Sequence, residues 1–340
     1  MNTLISRLLI ALTILVSCVG VLAPRAAFAA DDGSGSSSGG SPTWSLAPTA
    51  TPGAGQAGRS AIVVNASPGD QISDSVTLYN PTDVPVQIQL FTSDAFNVKN
   101  GGGFALNTSP QPTKDAGAWI SLPVVQFSVD AKTGVKIPFT IAVPANASPG
   151  DHSAGIVALG VAPIGTKQSG STAIDVKRAV GTRVYVRVDG PTKPSLDIAS
   201  MTFDPASAVL APFGGGTNKI SFVLSNTGNT RMSPTMRVWV TDALGRTVKS
   251  FPKFNVADLL PGNSATITRQ WDGANGVALR LTAHAEAVAG KTTASASSSA
   301  LAMPWLLLLL VLVVIALLVW WWRRRHGTRV AHRRNWADVQ

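Results

Sequence analysis

Short runs of alternating apolar and polar residues fill most of the chain between residues 62 and 287. In VPVQIQL at 84–90, for example, every second residue is apolar, which places the apolar side chains on one face of a β-strand. Turn sequences such as SPGD at 67–70 and NPTD at 80–83 separate the runs. Strands with a single apolar face suit antiparallel sheets that pack face to face, so the pattern predicts an all-β fold.

The predicted strands divide into two units. The first unit, at 44–163, contains about seven short strands and no amphipathic helix, which is typical of an immunoglobulin-like β-sandwich. The polar run GTKQSGST at 165–172 follows it, and strands with hairpin signals such as NTGN at 226–229 resume afterwards. We therefore predict two tandem immunoglobulin-like β-sandwiches, with the second at 174–289.

The most hydrophobic run of the chain is WLLLLLVLVVIALLVWWW at 305–322. As a helix it would rise about 27 Å without a charge, close to the ~30 Å hydrocarbon core of a bilayer. Tryptophans at its ends and arginines after it match the interfacial belt and the positive-inside rule. We predict a tether at 290–303, one C-terminal transmembrane helix at 304–322 and a basic cytoplasmic tail at 323–340. The predicted anchor residues are Trp305, Trp320, Trp321, Trp322, Arg323, Arg324 and Arg325.

The N-terminus has the organisation of a secretory signal peptide. A basic start, an apolar run and the small residues Ala-Phe-Ala at 27–29 predict cleavage after residue 29. A flexible Gly/Ser linker at 30–43 would follow the signal peptide at 1–29. The sequence around Cys18 also fits a lipobox, so lipidation is an alternative to removal of that cysteine. The layout predicts a single-pass cell-membrane protein with its N-terminus extracellular and its C-terminus cytoplasmic.

Composition and charge narrow the functional classes. Cys18 is the only cysteine, so removal of the signal peptide excludes disulfides, thiol catalysis and cysteine-based zinc sites. The formal net charge is +10, but the arginines after residue 322 account for much of the excess. Residues 31–300 are only weakly basic, and their charge gives no argument for nucleic-acid binding.

Several phrases of the first unit occur in a familiar combination: PGD at 68–70, VTLYN at 76–80, WI at 119–120 and IAVPANASPGDHSAG at 141–155. With them, residues 44–162 resemble the N-terminal, peptidoglycan-binding domain of the WxL-interacting cell-surface proteins of Gram-positive bacteria. The resemblance implies an envelope-facing sandwich, a second sandwich and a C-terminal membrane helix with a basic tail. The second unit resembles that family only in the order of its elements.

Signatures of enzymes are absent from the sequence. It contains no H-E-x-x-H, G-x-S-x-G or Walker motif. His284 and Glu286 share one face of a predicted strand, where they could hold a metal or form an acid–base pair, but we interpret them as residues of a solvated outer face. His152 lies in a Pro-Gly-Asp turn and is interpreted as a turn residue. We predict no enzymatic activity, no metal and no cofactor.

The loops at 94–117 are the candidate binding region, because loops carry function more often than strands do. Aromatic faces stack on sugar rings, and amides supply the polar contacts that orient a ligand. The predicted ligand-binding residues are Asp94, Phe96, Asn97, Asn100 and Trp119. For Trp119, which opens a strand, the alternative is a position in the core of the sandwich.

These observations favour a non-enzymatic, membrane-anchored surface protein whose first sandwich binds cell-wall polymer, peptidoglycan, or surface protein partners. The alternative is an accessory subunit that assembles with other membrane or surface proteins through exposed strand edges, as PapD-like domains do. A cryptic wall hydrolase that uses His284 and Glu286 is a third hypothesis.

Overall fold

The structure is a computed structural model. It describes residues 44–50, 59–163, 165–169, 172–206, 216–272, 280–301 and 305–327. The predicted signal peptide at 1–29 with Cys18, the linker at 30–43 and the tail beyond residue 327 lie outside the described residues.

The first sandwich consists of two sheets. In the smaller sheet the strands lie in the order β1 (Ser45–Pro48), β3 (Gln71–Tyr79), β8 (Gly134–Ala142) and β6 (Ile120–Ser121). In the larger sheet the order is β2 (Ile62–Ala66), β12 (Ala179–Val188), β9 (Gly150–Gly160), β4 (Val86–Asn97) and β5 (Phe104–Leu106), and β7 (Gln126–Val129) pairs with β4. Apolar side chains from the inner faces, such as Leu78, Leu90 and Ile156, are fully buried between the sheets.

The strand β12 belongs to this first sandwich, whereas the sequence analysis placed it in the second unit. It pairs antiparallel with β9 along its whole length and parallel with β2 over Val184–Val188. The polar run that we interpreted as a break between units forms a hairpin of β10 (Gly165–Ser169) and β11 (Thr172–Val176). Alternation identifies a strand but does not show which sheet it joins, because any one-sided strand has the same period.

The second sandwich also has two sheets. One contains β13 (Leu196–Asp204), β14 (Thr217–Asn226) and β18 (Ser264–Asp272) in that order. The other contains β16 (Thr247–Ser250), β15 (Thr235–Asp242), β19 (Arg280–Ala289) and β20 (Thr292–Leu301), and β17 (Phe254–Asn255) pairs with β15. Phe222, Met236 and Leu259 are among its fully buried side chains. The predicted all-β, immunoglobulin-like fold class is confirmed.

The segment that we predicted as a tether contains the strand β20. It pairs with β19 in an unbroken antiparallel register from Arg280↔Leu301 to Ala289↔Thr292. Its sequence, TTASASSSAL, alternates half-buried with exposed residues, and alanines such as Ala294 and Ala296 pack against the core. Because the inward side chains are small, the strand has little hydrophobicity and reads as a linker in the sequence.

The described residues include two helices, α1 (Ala116–Trp119) and α2 (Trp305–Gly327). Side chains of α2 are described from residue 309 to residue 325, and all of them are exposed.

No helix among the described residues is both long enough and apolar enough to cross a membrane. On those residues the prediction of a transmembrane helix at 304–322 is wrong, and the single-pass location at the cell membrane is contradicted with it. The anchor roles predicted for Trp305, Trp320–Trp322 and Arg323–Arg325 depended on that helix.

Both sandwiches belong to one compact unit of the chain. They meet closely where β9 begins, because Gly150 lies against the loop at Asn229. A side chain at Gly150 would collide with the Asn229 carbonyl, and the φ of +126° at this glycine is one that other residues rarely adopt. The N–H of Asp151 donates to the same carbonyl at 2.8 Å. Two polar residues discussed in the sequence analysis, Asn97 and His152, lie at or beside this junction.

Candidate functional site

Asp94 organises the segment that leads into α1. Its carboxylate accepts hydrogen bonds from the backbone N–H groups of Lys114 at 2.6 Å, Gly117 at 2.8 Å and Asp115 at 3.2 Å. A carboxylate surrounded by backbone donors is well suited to stabilise an irregular loop. Asp94 therefore positions the residues around Asp115, rather than pointing a free carboxylate at solvent.

Asn97 links the two sandwiches and is only 6% exposed. Its Nδ2 donates to the carbonyl of Gly102 at 2.7 Å and to that of Asp258, in the second sandwich, at 2.8 Å. Its Oδ1 accepts from the N–H of Leu260 at 2.8 Å. Its own N–H donates to Oδ1 of Asn263 at 3.2 Å. The amide is thus occupied by contacts that hold the junction.

The other three predicted binding residues lie in different environments. Trp119 is 9% exposed and belongs to the core of the first sandwich. Phe96 is 40% exposed, and Asn100 is exposed and forms an isolated bridge with Thr266 of the second sandwich. The two aromatic side chains differ in exposure, and the two asparagines do as well. These residues do not form one binding surface.

His152 was interpreted as a turn residue, and the structure places it in a polar cluster. Its Nδ1 lies 2.6 Å from Oδ1 of Asp115, and its Nε2 lies 2.9 Å from the carbonyl oxygen of Ser148. The imidazole also contacts Trp119, with ring centroids 4.7 Å apart. Burial lowers the pKa of His152, but the bonds to Asp115 and Ser148 outweigh it, so the pKa lies above its ordinary value.

Asp151, the neighbour of His152, joins the sandwiches through charged hydrogen bonds. Arg187 donates to both of its oxygens, at 2.6 and 2.8 Å, and the N–H of Arg231 donates to Oδ2 at 2.7 Å. Burial raises the pKa of Asp151, but the bonds from Arg187 and Arg231 outweigh it and leave the pKa below its ordinary value. The carboxylate is therefore charged at neutral pH.

A second carboxylate, Asp258, approaches β12 from the other sandwich. It accepts from Nη1 of Arg183 at 3.0 Å and from the hydroxyl of Tyr185 at 3.2 Å. The guanidinium of Arg231 lies 3.4 Å from Asp258 and 3.7 Å above the ring centroid of Tyr185. Together, Asp151 and Asp258 attach the outer face of β12 to the second sandwich.

A cleft of about 310 Å³ opens at the junction beside His152. Its lining includes Asp115 and Asp151 from the first sandwich and Asn229 and Asn263 from the second. Each of its two carboxylates already has a cationic or hydrogen-bonding partner within the chain. No group of three His, Cys, Asp or Glu residues that could hold a metal occurs in the described parts of the chain.

The proposed catalytic pair, His284 and Glu286, lies on β19 in the second sandwich. His284 stacks on Trp239 of the neighbouring strand, with centroids 5.0 Å apart and planes 12° apart, and its Nε2 lies 3.0 Å from the hydroxyl oxygen of Thr241. Burial lowers the pKa of His284. Glu286 lies opposite Arg237 in the register. These contacts are those of a cross-strand pair on a sheet surface.

The edge of β12 is only partly covered. The N–H of Gly160 donates to the carbonyl of Arg178 on the β9 side, and the N–H of Asp189 donates to the carbonyl of Ala66 on the β2 side. Backbone groups alternate in direction along a strand, so Ala179 and Gly181 direct theirs away from β9. Pairing with β2 begins only at Val184, and no described strand covers this side of Ala179 and Gly181.

The reason for the gap is that the chain changes sheets before β2. Arg59, three residues before that strand, donates to both oxygens of Asp74 on β3, at 2.8 and 2.9 Å, and to the carbonyl of Thr49 at 3.0 Å. The Asp74 contact holds this part of the chain against the smaller sheet. The chain therefore reaches the larger sheet only at Ile62, where β2 begins.

No model of a protein family matches the chain, and no curated protein matches it. Among solved structures it is similar to the class 5 fimbriae chaperone CfaA, with 12% identity, a TM-score of 0.34 and coverage of 71% of this chain and 96% of that one. For the YadV chaperone the identity is 14%, the TM-score 0.32 and the coverage 75% and 98%. For the E. coli chaperone DraB the identity is 13%, the TM-score is 0.32, and the coverage is 76% of this chain and 96% of that one. At these TM-scores the similarity says nothing about what this chain binds.

The predicted membership in the WxL-interacting family is contradicted, because no model of a protein family matches the chain. The phrases that carried the resemblance contain glycines with positive φ, Gly69 at +92° and Gly150 at +126°. Such glycines mark turns between strands, which unrelated sandwiches share. The prediction that the first sandwich binds peptidoglycan depended on that family, and it was wrong as well.

Sequence reasoning missed the residues that join the sandwiches. Arg183, Tyr185 and Arg187 alternate with valines on β12, and the sequence analysis did not single them out. Two arginines and a tyrosine on one face are a recognisable signal for an interface. Nothing in the sequence indicated that Asp151 and Asp258 would meet that face, since they come from distant parts of the chain.

Proposed function

We propose that the chain is a non-enzymatic accessory subunit of a surface protein assembly, and that it binds an extended segment of a partner protein along the open edge of β12. The observation that carries this proposal is that, in the described part of the chain, no strand pairs with the outer side of Ala179 and Gly181. A strand that lacks a neighbour offers N–H and C=O groups to any extended segment, and main-chain hydrogen bonds then supply much of the affinity.

The composition of this edge supports the proposal. Natural sheets usually protect an open edge with charges, prolines or bulges. Ala179, Val180 and Gly181 carry no charge, and the guanidinium of Arg183 is turned towards Asp258. A bound segment would occupy the line of β2 and extend it beyond Ile62.

A neighbouring pocket adds a place for a side chain of the bound segment. It has a volume of about 120 Å³ and is lined by residues that include Val63, Tyr185, Arg187 and Arg231. Val63 lies on the edge strand β2 and is 64% exposed, an unusual position for a large apolar residue next to an open edge. The ion pairs of the junction hold the second sandwich beside this pocket.

A photo-cross-linking amino acid placed in the full chain in its own cells tests the proposal. At Val63 the probe is expected to form an adduct with one protein partner. The matched control is Val84, which is 62% exposed on a turn of the same sandwich and is expected to form no such adduct.

A backbone variant shows whether the adduct depends on strand addition. Ala179→Pro removes an N–H that faces the open side and leaves the bonds to β9 intact, so it should abolish the Val63 adduct. Ala179→Ser retains the N–H and should preserve it. Equal adducts at Val63 and Val84, or an adduct unaffected by Ala179→Pro in the folded protein, would disprove the proposal.

A further inference from the structure

A groove of about 620 Å³ runs beside β18 in the second sandwich. Val256 and Ile267, which line it, are 3% and 4% exposed. Phe254 and Arg269 also line it, with the guanidinium 3.8 Å above the ring centroid. The sheet that ends with β18 has three strands and faces a sheet of five. The groove therefore lies where a fourth strand would complete the smaller sheet.

One end of this edge is already used by the first sandwich. The N–H of Thr266 donates to the carbonyl of Lys99, and the N–H of Gly101 donates to the carbonyl of Thr266 at 3.0 Å. These bonds form a parallel bridge between Asn100 and Thr266. The chain itself thus demonstrates that β18 accepts an extended segment on this side.

The contact ends after that bridge for a local reason. Gly101 and Gly102 have φ values of +85° and +78° and turn the chain away from β18. Gly102 also has no room for a side chain, because a Cβ there would lie 2.8 Å from the Cβ of Ala265 and 2.9 Å from Val256. The loop cannot continue along the strand, and no other described segment pairs with the remainder of the edge.

Beyond Thr266, two further residues of β18 direct backbone groups to the outer side of the sheet. Thr266 directs both backbone groups to the loop, so by alternation Thr268 and Gln270 direct theirs to the same side. The opposite side faces β14, where the carbonyl of Asn263 accepts from the N–H of Asn226 at 2.9 Å. Among the described residues no strand pairs with the outer side of Thr268 or Gln270.

We propose that this edge binds an extended, acidic segment of a partner protein as an added strand. Backbone groups of Thr268 and Gln270 would pair with the segment in line with the bridge at Thr266, and the segment would replace the 3.4 Å bond from Nη1 of Arg269 to the Thr268 carbonyl. Apolar side chains at alternate positions would pack against Phe254, which is half-buried. The residues that line the groove include one cation, Arg269, and no carboxylate, so acidic residues are favoured between the apolar ones. The site is separate from the edge of β12.

Hydrogen exchange on the full chain tests the site with a defined probe, a peptide of alternating valine and glutamate. Without peptide the N–H of Thr266 donates to the carbonyl of Lys99 and should be protected, whereas those of Thr268 and Gln270 are expected to exchange fast. With peptide, protection is expected to extend to Thr268 and Gln270, whereas a peptide of alternating valine and lysine should have a smaller effect. If the valine–glutamate peptide leaves both amides unprotected, the proposal is overturned.

Proline variants distinguish a peptide that pairs with the backbone of β18 from a peptide that only lies in the groove. Thr268→Pro and Gln270→Pro remove outward N–H groups without touching β14, and each is expected to weaken peptide binding about tenfold, as for one lost hydrogen bond. Thr268→Ser and Gln270→Ala are the controls that retain the N–H. Unchanged affinity in a folded proline variant would refute strand addition here.

Two further experiments show which molecule binds at β18 and whether this site is separate from the edge of β12. Protection of Thr268 and Gln270 that grows with protein concentration in the absence of peptide would identify a second copy of the chain and would overturn the assignment to a partner protein. Ala179→Pro should leave peptide binding at β18 unchanged. Loss of binding in that variant would contradict a separate site, whereas failure at β18 alone leaves the proposal for β12 standing.

Discussion

Two of the contacts between the sandwiches differ in physical character. Asn97 makes neutral hydrogen bonds to Asp258, Leu260 and Gly102 in a buried position. Asp151 pairs with Arg187 of its own sandwich and accepts from the backbone N–H of Arg231 in the second, and the Arg187 side chain is 52% exposed. Neutral bonds in a buried site are insensitive to salt, whereas partly exposed ion pairs are screened by it.

Because one contact is buried and neutral and the other is partly exposed and charged, they contribute differently to the formation of the junction. Removing a buried amide leaves partners without hydrogen bonds in a region that water does not reach, which costs more than the bond itself contributed. Removing one charge from a partly exposed pair allows water to solvate the other. We therefore expect Asn97 to maintain the junction and the arginine contacts to adjust it with pH and salt.

The largest expected effect comes from Asn97→Ala. It leaves the buried N–H of Leu260 and the carbonyl of Asp258 unpaired, so the free energy of unfolding should fall by about 2–3 kcal/mol. Urea denaturation followed by tryptophan fluorescence measures this change. Asn100→Ala is the control, since the side chain of Asn100 is exposed, and a similar loss in both variants would contradict the special role of Asn97.

A smaller effect is expected for Asp151→Asn, about 1–2 kcal/mol at low salt and less as salt increases. The folded pKa of Asp151 lies below its ordinary value, so its stabilisation is present above an unfolded pKa of about 3.9. It is lost as pH falls through the folded pKa. Urea denaturation of both proteins between pH 3 and pH 7 measures the difference, which should decrease towards the acid end.

The control for that variant is Asp83→Asn. Asp83 pairs with Lys132 at 3.1 Å, but its side chain is 90% exposed, so its removal should have little effect at any salt concentration. A salt-independent loss in Asp151→Asn would indicate that the junction depends on the shape of this side chain rather than on its charge.

The smallest effect is expected from His152→Gln and concerns the pH dependence of stability. The folded pKa of His152 lies above 6.5, so its ionic contribution is complete below that pH and disappears as pH rises through the folded value. Unfolding free energies between pH 5 and pH 9 should decline for the native protein and less so for the variant.

For His284 on β19, the opposite dependence of stability on pH is expected. Burial lowers the pKa of His284, so its protonation opposes folding and stability should rise with pH up to about 6.5. His284→Gln should remove that rise. If both histidine variants changed the pH profile in the same direction, the cluster of His152 with Asp115 would not be the ionic contact inferred from its geometry.

Much of the fold followed from the sequence because strands with one buried face have a strict period. Residues 62–64 and 84–90 were predicted as strands on that basis, and β2 and β4 contain most of them. Prediction failed where the period gives no information about partners. β12 was assigned to the wrong sandwich, and β20 was taken for a tether because alanine and serine give a weak contrast between faces.

The candidate site was less accessible from the sequence. Asp94 and Asn97 were singled out as polar residues in a loop region, but their partners at Lys114 and Leu260 are distant in the chain. Trp119 shows the same limit, because an aromatic residue at a strand start suits a binding surface or a core equally well. Only its 9% exposure distinguishes the two.

The sequence by itself determined most of the strands, the turns with their glycines, the presence of a single cysteine and the lack of an H-E-x-x-H, G-x-S-x-G or Walker motif. These properties depend on neighbours within a few residues or on composition. Only the tertiary structure decided which strand edges lack a partner among the described residues, because pairing depends on segments that are distant in the chain. Within those residues Arg59 holds the chain to the other sheet before it reaches Ala179, and Gly101 and Gly102 turn a loop away before it reaches Thr268.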